Sequence, residues 1–309
     1  MALLKRHALQ FTQERLLQVN KKITRLLTGD TSTQLIPFGV KLAQSYAQGW
    51  RDWEECPCVF VLSTGRVGTK TLTALFALSP QAISLHEPEP RLVKVSFDAY
   101  MEGGNLGASE KWQAVVFAAR DDAICEANRR GKIYIETNNR LTYLAPALAA
   151  AFPASRFIHL HRHPYEVVRS AMRRGYYQSH NWDFARIRPR PGEPLAARWD
   201  TLSPLEKSAW YWAQCNSEAH EFLETLDKSR RMDLRAALLF AGDEKTLEDL
   251  FDFVDIDFPP REQVEEVLEQ KINAARQGHF PPPSEWDKDE RASVRQLVAK
   301  TAKILDYEL

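Results

Sequence analysis

Apolar positions along the chain change their period several times, and each change predicts an element. In residues 1–50, Leu3, Leu4, Leu9, Phe11, Leu16, Leu17, Ile23, Leu26 and Leu27 recur at helical spacing. Gly29-Asp30 interrupts that pattern, and a second helix is expected over residues 38–49. Beyond a charged junction at Trp50–Glu55 the texture changes. Cys58-Val-Phe-Val-Leu62 is a short continuous apolar run, the mark of a strand covered on both faces. Further strands are expected at Ala82–Leu85, Lys132–Glu136, Arg156–His161 and Arg235–Phe240. Helical patterns separate them at Thr69–Leu78, Lys111–Arg130, Leu141–Phe152, Tyr165–Arg174 and Ser203–Leu226, and two more close the chain at 243–254 and 288–305. Short apolar strands alternating with helices predict an α/β fold with a central parallel sheet covered on both sides. The expected organisation is a helical N-terminal extension over residues 1–57 and one α/β domain over 58–309.

Charge narrows the function classes. The 309 residues carry 41 Lys+Arg against 41 Asp+Glu, which argues against a protein that coats nucleic acid. The neutral total is a sum of unlike parts. Residues 156–198 hold nine arginines against Glu166, Asp183 and Glu193, whereas residues 243–270 hold eleven acids against Lys245 and Arg261. A groove for a small polyanion fits inside such a chain. The longest apolar run, Tyr143–Phe152, contains Pro146 and falls short of the roughly 20 residues a membrane span needs, and the N-terminus lacks a signal-peptide core. Four cysteines, Cys56, Cys58, Cys125 and Cys215, are too few for a disulfide scaffold. These features predict a soluble protein of a reducing, cytoplasmic compartment, with no membrane span; the oligomeric state is left open.

The most informative segment runs from Val61 to Leu72, Val-Leu-Ser-Thr-Gly-Arg-Val-Gly-Thr-Lys-Thr-Leu. A strand feeds a turn with two glycines, and a helix begins at once. Glycines let a backbone approach an anion, and the free N–H groups of a helix start point at it. Arg66, Lys70, Thr69 and Thr71 add charge and donors. The bland alternative is a glycine turn with nothing bound. The segment is not a Walker A loop, because Thr69 rather than glycine precedes Lys70. A second segment, Arg156 to Ser170, reads strand, Arg162, Pro164, helix, Ser170. Proline suits the first turn of a helix, and an arginine with a hydroxyl can grip one phosphate. His159, His161 and His163 alternate on this strand, a spacing compatible with metal ligation, but no carboxylate or cysteine cluster completes a set.

Together the two segments resemble the sulfotransferases that use 3′-phosphoadenosine 5′-phosphosulfate (PAPS), in particular the carbohydrate and tyrosylprotein branch. The resemblance implies a P-loop-like three-layer fold and transfer of a sulfuryl group from PAPS to a hydroxyl or amine, with PAP as product and no metal. It implies that Arg66, Val67, Gly68, Thr69, Lys70 and Thr71 hold the 5′-phosphosulfate. Arg162 and Ser170 would hold the 3′-phosphate. In Ser84-Leu-His86-Glu87-Pro-Glu-Pro90, Glu87 matches the family's catalytic base, with His86 as the alternative and Lys70 as a supporting cation. Two departures stand out. His163 replaces the usual Asp or Asn, and Thr137, in Tyr134-Ile-Glu136-Thr137-Asn138, stands where the family often has a lysine. Asn138 doubles as a candidate helix cap, and the aromatic, basic stretch 176–200 is the expected acceptor region. Lys271-Ile-Asn273 and Trp286 bear a faint likeness to the family's C-terminal pattern. The small-molecule sulfate donor is thus one partner. The acceptor is a carbohydrate, peptide, lipid or small molecule, and nucleic acid is not expected. Two other readings stay open: a kinase or nucleotide hydrolase, and a PAP-binding scaffold without catalysis.

Overall fold

A computed structural model describes residues 55–103, 110–178, 180–270 and 279–309. The helices expected within residues 1–50 lie outside the described residues, as do Lys271 and Asn273. Five strands, β1 (Cys58–Leu62), β2 (Ala82–His86), β3 (Ile133–Thr137), β4 (Ser155–His161) and β5 (Arg231–Arg235), form one sheet in the order β2-β3-β1-β4-β5. Every neighbouring pair is parallel.

The apolar run of β1 explains its central place. All five of its residues are buried, and alternate side chains serve opposite layers. Val59 and Val61 join a core with Leu72 and Leu75 of α1 (Thr69–Phe76), Val167 of α5 (Pro164–Met172), Trp212 of α6 (Pro204–Glu224) and Val294 of α10 (Lys288–Ile304). Phe60 and Leu62 point the other way, onto Val116 of α3 (Glu110–Arg129) and Leu148 of α4 (Ala145–Ala151). Register then fixes which residues share the carboxyl edge of the sheet. Val61 and His86 both stand opposite Thr137, and Leu62 stands opposite His159.

One expected strand is corrected. Arg235–Phe240 is not a strand: β5 ends at Arg235, and Ala236–Ala241 form a short helix, α7, closed by Gly242 in the left-handed region. A short apolar run reads equally as a buried strand or a buried helix, and here the true strand is the more polar Arg-Met-Asp-Leu-Arg before it. Residues 139–144 form a 3-10 helix rather than the α-helix expected from Leu141, with α4 following from Ala145. Three further α-helices are α2 (Val93–Met101), α8 (Glu244–Val254) and α9 (Arg261–Glu269). Of these, α2 and α9 carried no sequence signal strong enough to place them.

Candidate active site

The glycine loop connects β1 to α1 and is fastened from below. Ser63 exchanges two hydrogen bonds with Thr142, its backbone N–H donating to Oγ1 and its carbonyl accepting from it. The Tyr211 hydroxyl donates to the Thr64 carbonyl at 3.1 Å, and the Cys215 thiol to that of Ser63. Gly65, Arg66 and Gly68 all adopt positive φ, at 72°, 63° and 105°. At Gly68 a side chain is excluded twice, because a Cβ would also meet the Phe240 ring at 2.5 Å. Gly68 caps α1 without a side-chain hydrogen bond, so the first N–H groups of α1 are open to an anion. Val67 is fully buried and can offer a ligand only its backbone. Thr69 and Thr71 are buried beside it, whereas Lys70 is exposed at the rim.

The second segment meets the first. Arg66 Nε donates to Ser170 Oγ at 3.1 Å, so the two segments singled out from the sequence form one surface. Burial and the neighbouring Arg174 and Arg162 push the Arg66 guanidinium below its usual pKa, with Tyr176 and Glu87 opposing. Cations crowded in this way favour an anion. Arg162 lies at the end of β4, paired at 2.7 Å with Glu166 one turn along α5 and stacked 5.7 Å from the centre of the Phe240 ring. The hydrogen bond to Ser170 comes from Arg66. Phe240, assigned to a strand by its apolar neighbours, was not flagged from the sequence, yet it lies exposed between Gly68 and Arg162. His163 caps the helix: its Nδ1 accepts from Tyr165 N–H at the start of α5, and Nε2 donates to the Glu308 carbonyl.

The alternating histidines share a face, with the His159 and His161 rings 5.0 Å apart, but each is used internally. His159 is held between Asp233 and Asn216, and His161 by the Tyr307 hydroxyl at 2.8 Å. No cluster able to hold a metal occurs among the described residues. The four cysteines are free thiols.

At the end of β2, His86 and Glu87 stand beside Thr137. His86 Nδ1 lies 2.9 Å from Thr137 Oγ1, which lies 2.6 Å from Thr73 Oγ1, and His86 Nε2 is 3.8 Å from Glu87 Oε1. Glu87 is held at positive φ, 46°, with its N–H on the Thr137 carbonyl. Burial lowers the His86 pKa; Glu87 pulls it up, and Lys70 and Arg91 push it down. The ring is therefore neutral at pH 7. Glu136, the acidic residue of that segment, is scaffold rather than site: it is buried against Arg120, Tyr134 and Asn138. Asn138 also caps the following helix by accepting from Arg140 N–H. In the stretch 176–200, Tyr176, Tyr177 and Trp199 pack into a cluster with Trp210 and Tyr211, leaving Phe184 largely exposed.

A sequence model described as the sulfotransferase family matches residues 57–260. Among solved structures, the sulfotransferase domain from the Synechococcus PCC 7002 olefin synthase superposes with a TM-score of 0.50 at 16% identity, covering 82% of this chain and 95% of that one. The sulfotransferase domain from the curacin biosynthetic pathway superposes at 0.51 with 18% identity, covering 82% and 98%. At these identities the superpositions establish the fold. No curated protein matches the chain. No helix among the described residues is long and apolar enough to cross a membrane.

Proposed function

Because the chain belongs to the sulfotransferase family, we propose that it transfers the sulfuryl group of PAPS to a hydroxyl or amine, without a metal. The observation that carries this reading is the Arg66–Ser170 hydrogen bond, which brings the two segments expected to grip the donor onto one surface. The residues present suit such a donor. The open start of α1 with Arg66, Lys70, Thr69 and Thr71 takes the 5′-phosphosulfate, and Arg162 with Ser170 takes the 3′-phosphate. Phe240, exposed between them, offers a ring face to the nucleoside. Sulfuryl transfer needs the acceptor proton removed and the charge on the transferring group held, and preorganised positive groups supply the second requirement. Arg66 and Lys70 serve there. The base is supplied by the pair at the end of β2, Glu87 and His86, whose Oε1 and Nε2 are 3.8 Å apart.

Calorimetric titration with PAP, ATP and AMP tests the reading. PAP is expected to bind most tightly and without Mg²⁺. Tighter ATP binding, or a strict Mg²⁺ requirement, would favour a kinase or hydrolase instead. PAP binding with no transfer to any acceptor in a panel of carbohydrate, peptide, lipid and small-molecule hydroxyls would leave a binding scaffold.

A further inference from the structure

A chain of hydroxyls behind His86 has a direction. The Thr73 hydroxyl donates to the Thr69 carbonyl, one turn back along α1, at 2.9 Å. A hydroxyl has one proton, so at the 2.6 Å contact with Thr137 the Thr73 oxygen accepts and the Thr137 hydroxyl donates. The Thr137 proton is then spent, and at the 2.9 Å contact its oxygen accepts from His86 Nδ1. With all three bonds made, His86 carries its proton on Nδ1, and the Nε2 lone pair faces the Glu87 side.

We propose that Thr137, backed by Thr73, is a positioning residue that fixes the Nδ1–H tautomer of His86 and so makes Nε2 the proton acceptor of the reaction. The inference rests on the sulfotransferase reading and decides between the two members of its base pair. Thr137 thus has work of its own where the family often has a lysine. In the step, the acceptor O–H proton moves to His86 Nε2 as the acceptor oxygen forms its bond to sulfur. The bond between sulfur and the 5′-phosphate oxygen breaks, and its electron pair leaves with PAP. The resulting imidazolium is flanked by the Glu87 carboxylate, which steadies it; after transfer the ring gives its Nε2 proton to solvent water, a release favoured by the nearby charges of Lys70 and Arg91. Thr69, where the relay ends, is the first residue of the helix whose start receives the donor. One chain of contacts therefore joins base and donor loop.

Two measurements test this. Nitrogen-15 NMR of the histidine rings in the PAP-bound protein reads the tautomer without any turnover. The expected signal for His86 is neutral with the proton on Nδ1; a proton on Nε2 overturns the proposal. Turnover at saturating PAPS, on the best acceptor found in the panel, supplies the second readout. Thr137→Val is expected to cut kcat roughly tenfold to a hundredfold. Because a hydrogen bond to the charged ring favours it, its loss should also move the acid limb of the pH profile to lower pH. Thr137→Ser should restore both, and PAP affinity should be unchanged in either variant. An unmoved pH profile in Thr137→Val, or failure of Thr137→Ser to rescue, also overturns the assignment. Loss of PAP selectivity in the unmodified protein would instead sink the underlying reading, so the two failures are distinguishable.

Discussion

Two pairs of opposite charge, one between helix α3 and strand β3 and one on the loops that follow β1 and β2, have opposite environments. Arg120 and Glu136 are sealed from water, and the guanidinium is saturated: Nε and Nη2 reach the two carboxylate oxygens, and Nη1 and Nη2 reach the Pro90 carbonyl. Burial alone would strip charge from Arg120, but Glu136 more than offsets it and the pKa rises. Arg66 and Glu87 are only partly covered. Among the described residues Arg66 donates to one hydroxyl, that of Ser170, and it stands among other cations, and its pKa falls. Glu87 has His86 at 3.8 Å. A buried charge whose partners are complete is scaffold, while a half-buried charge whose partners are missing is prepared for a ligand.

The strongest way to break this contrast is Glu136→Gln, which keeps the shape but leaves Arg120 buried without a counter-charge. It should cost about 3–5 kcal/mol of stability, read as a lower urea midpoint. If the fold instead kept its midpoint and lost PAP binding, the pair would belong to the site. Arg66→Met should do the opposite, weakening PAP roughly tenfold or more while the midpoint holds, since charge-assisted bonds to phosphate are lost. Glu87→Gln should leave both the midpoint and PAP affinity intact and lower turnover about tenfold, as expected for a carboxylate that steadies a neighbouring imidazolium; unchanged turnover would remove Glu87 from the machinery. A smaller, more selective effect is expected at Arg162. Arg162→Ala should weaken PAP more than adenosine 5′-phosphosulfate, which lacks the 3′-phosphate. Equal losses for both would refute its assignment to that phosphate.

What was legible in the sequence divides along the same line. The glycine loop could be read because its conformation demands residue types: positive φ at Gly65 and Gly68 leaves a recognisable trace. The central strand could be read because burial on both faces demands an unbroken apolar run. The relay could not. Thr73, His86 and Thr137 lie on three elements, and only the register that sets His86 opposite Thr137 brings them together. The Arg120–Glu136 pair was equally hidden, since nothing local to either residue names the other. Phe240 was misplaced because a run of Ala, Leu and Phe carries no period long enough to separate strand from helix. At His163 the change of residue type looked like a departure, yet a helix cap asks only for an acceptor at the right place, and imidazole Nδ1 supplies one.

His161 adds a third solution to burial, and it sharpens the contrast because it involves no charge at all. The ring is buried in β4 and hydrogen-bonded to the Tyr307 hydroxyl, and burial, reinforced by His159, Arg235 and His220 and opposed by Asp233, lowers its pKa to about 3. An unfolded chain would titrate the same ring near 6.5. Between pH of about 3 and about 6.5 the unfolded state therefore binds more protons than the folded one, so stability rises with pH across this window. The contribution is complete above pH of about 6.5 and drains away on acidification, with a slope approaching 1.4 kcal/mol per pH unit, roughly the linkage limit for one proton. Carboxylates elsewhere add their own acid dependence, so the measurement is a difference. In His161→Gln, which retains a polar group able to hydrogen-bond Tyr307, the fall in urea midpoint from pH of about 6.5 to about 4 should be shallower than in the unmodified protein. Parallel curves would mean that His161 escapes the cost of burial in some other way than by staying neutral.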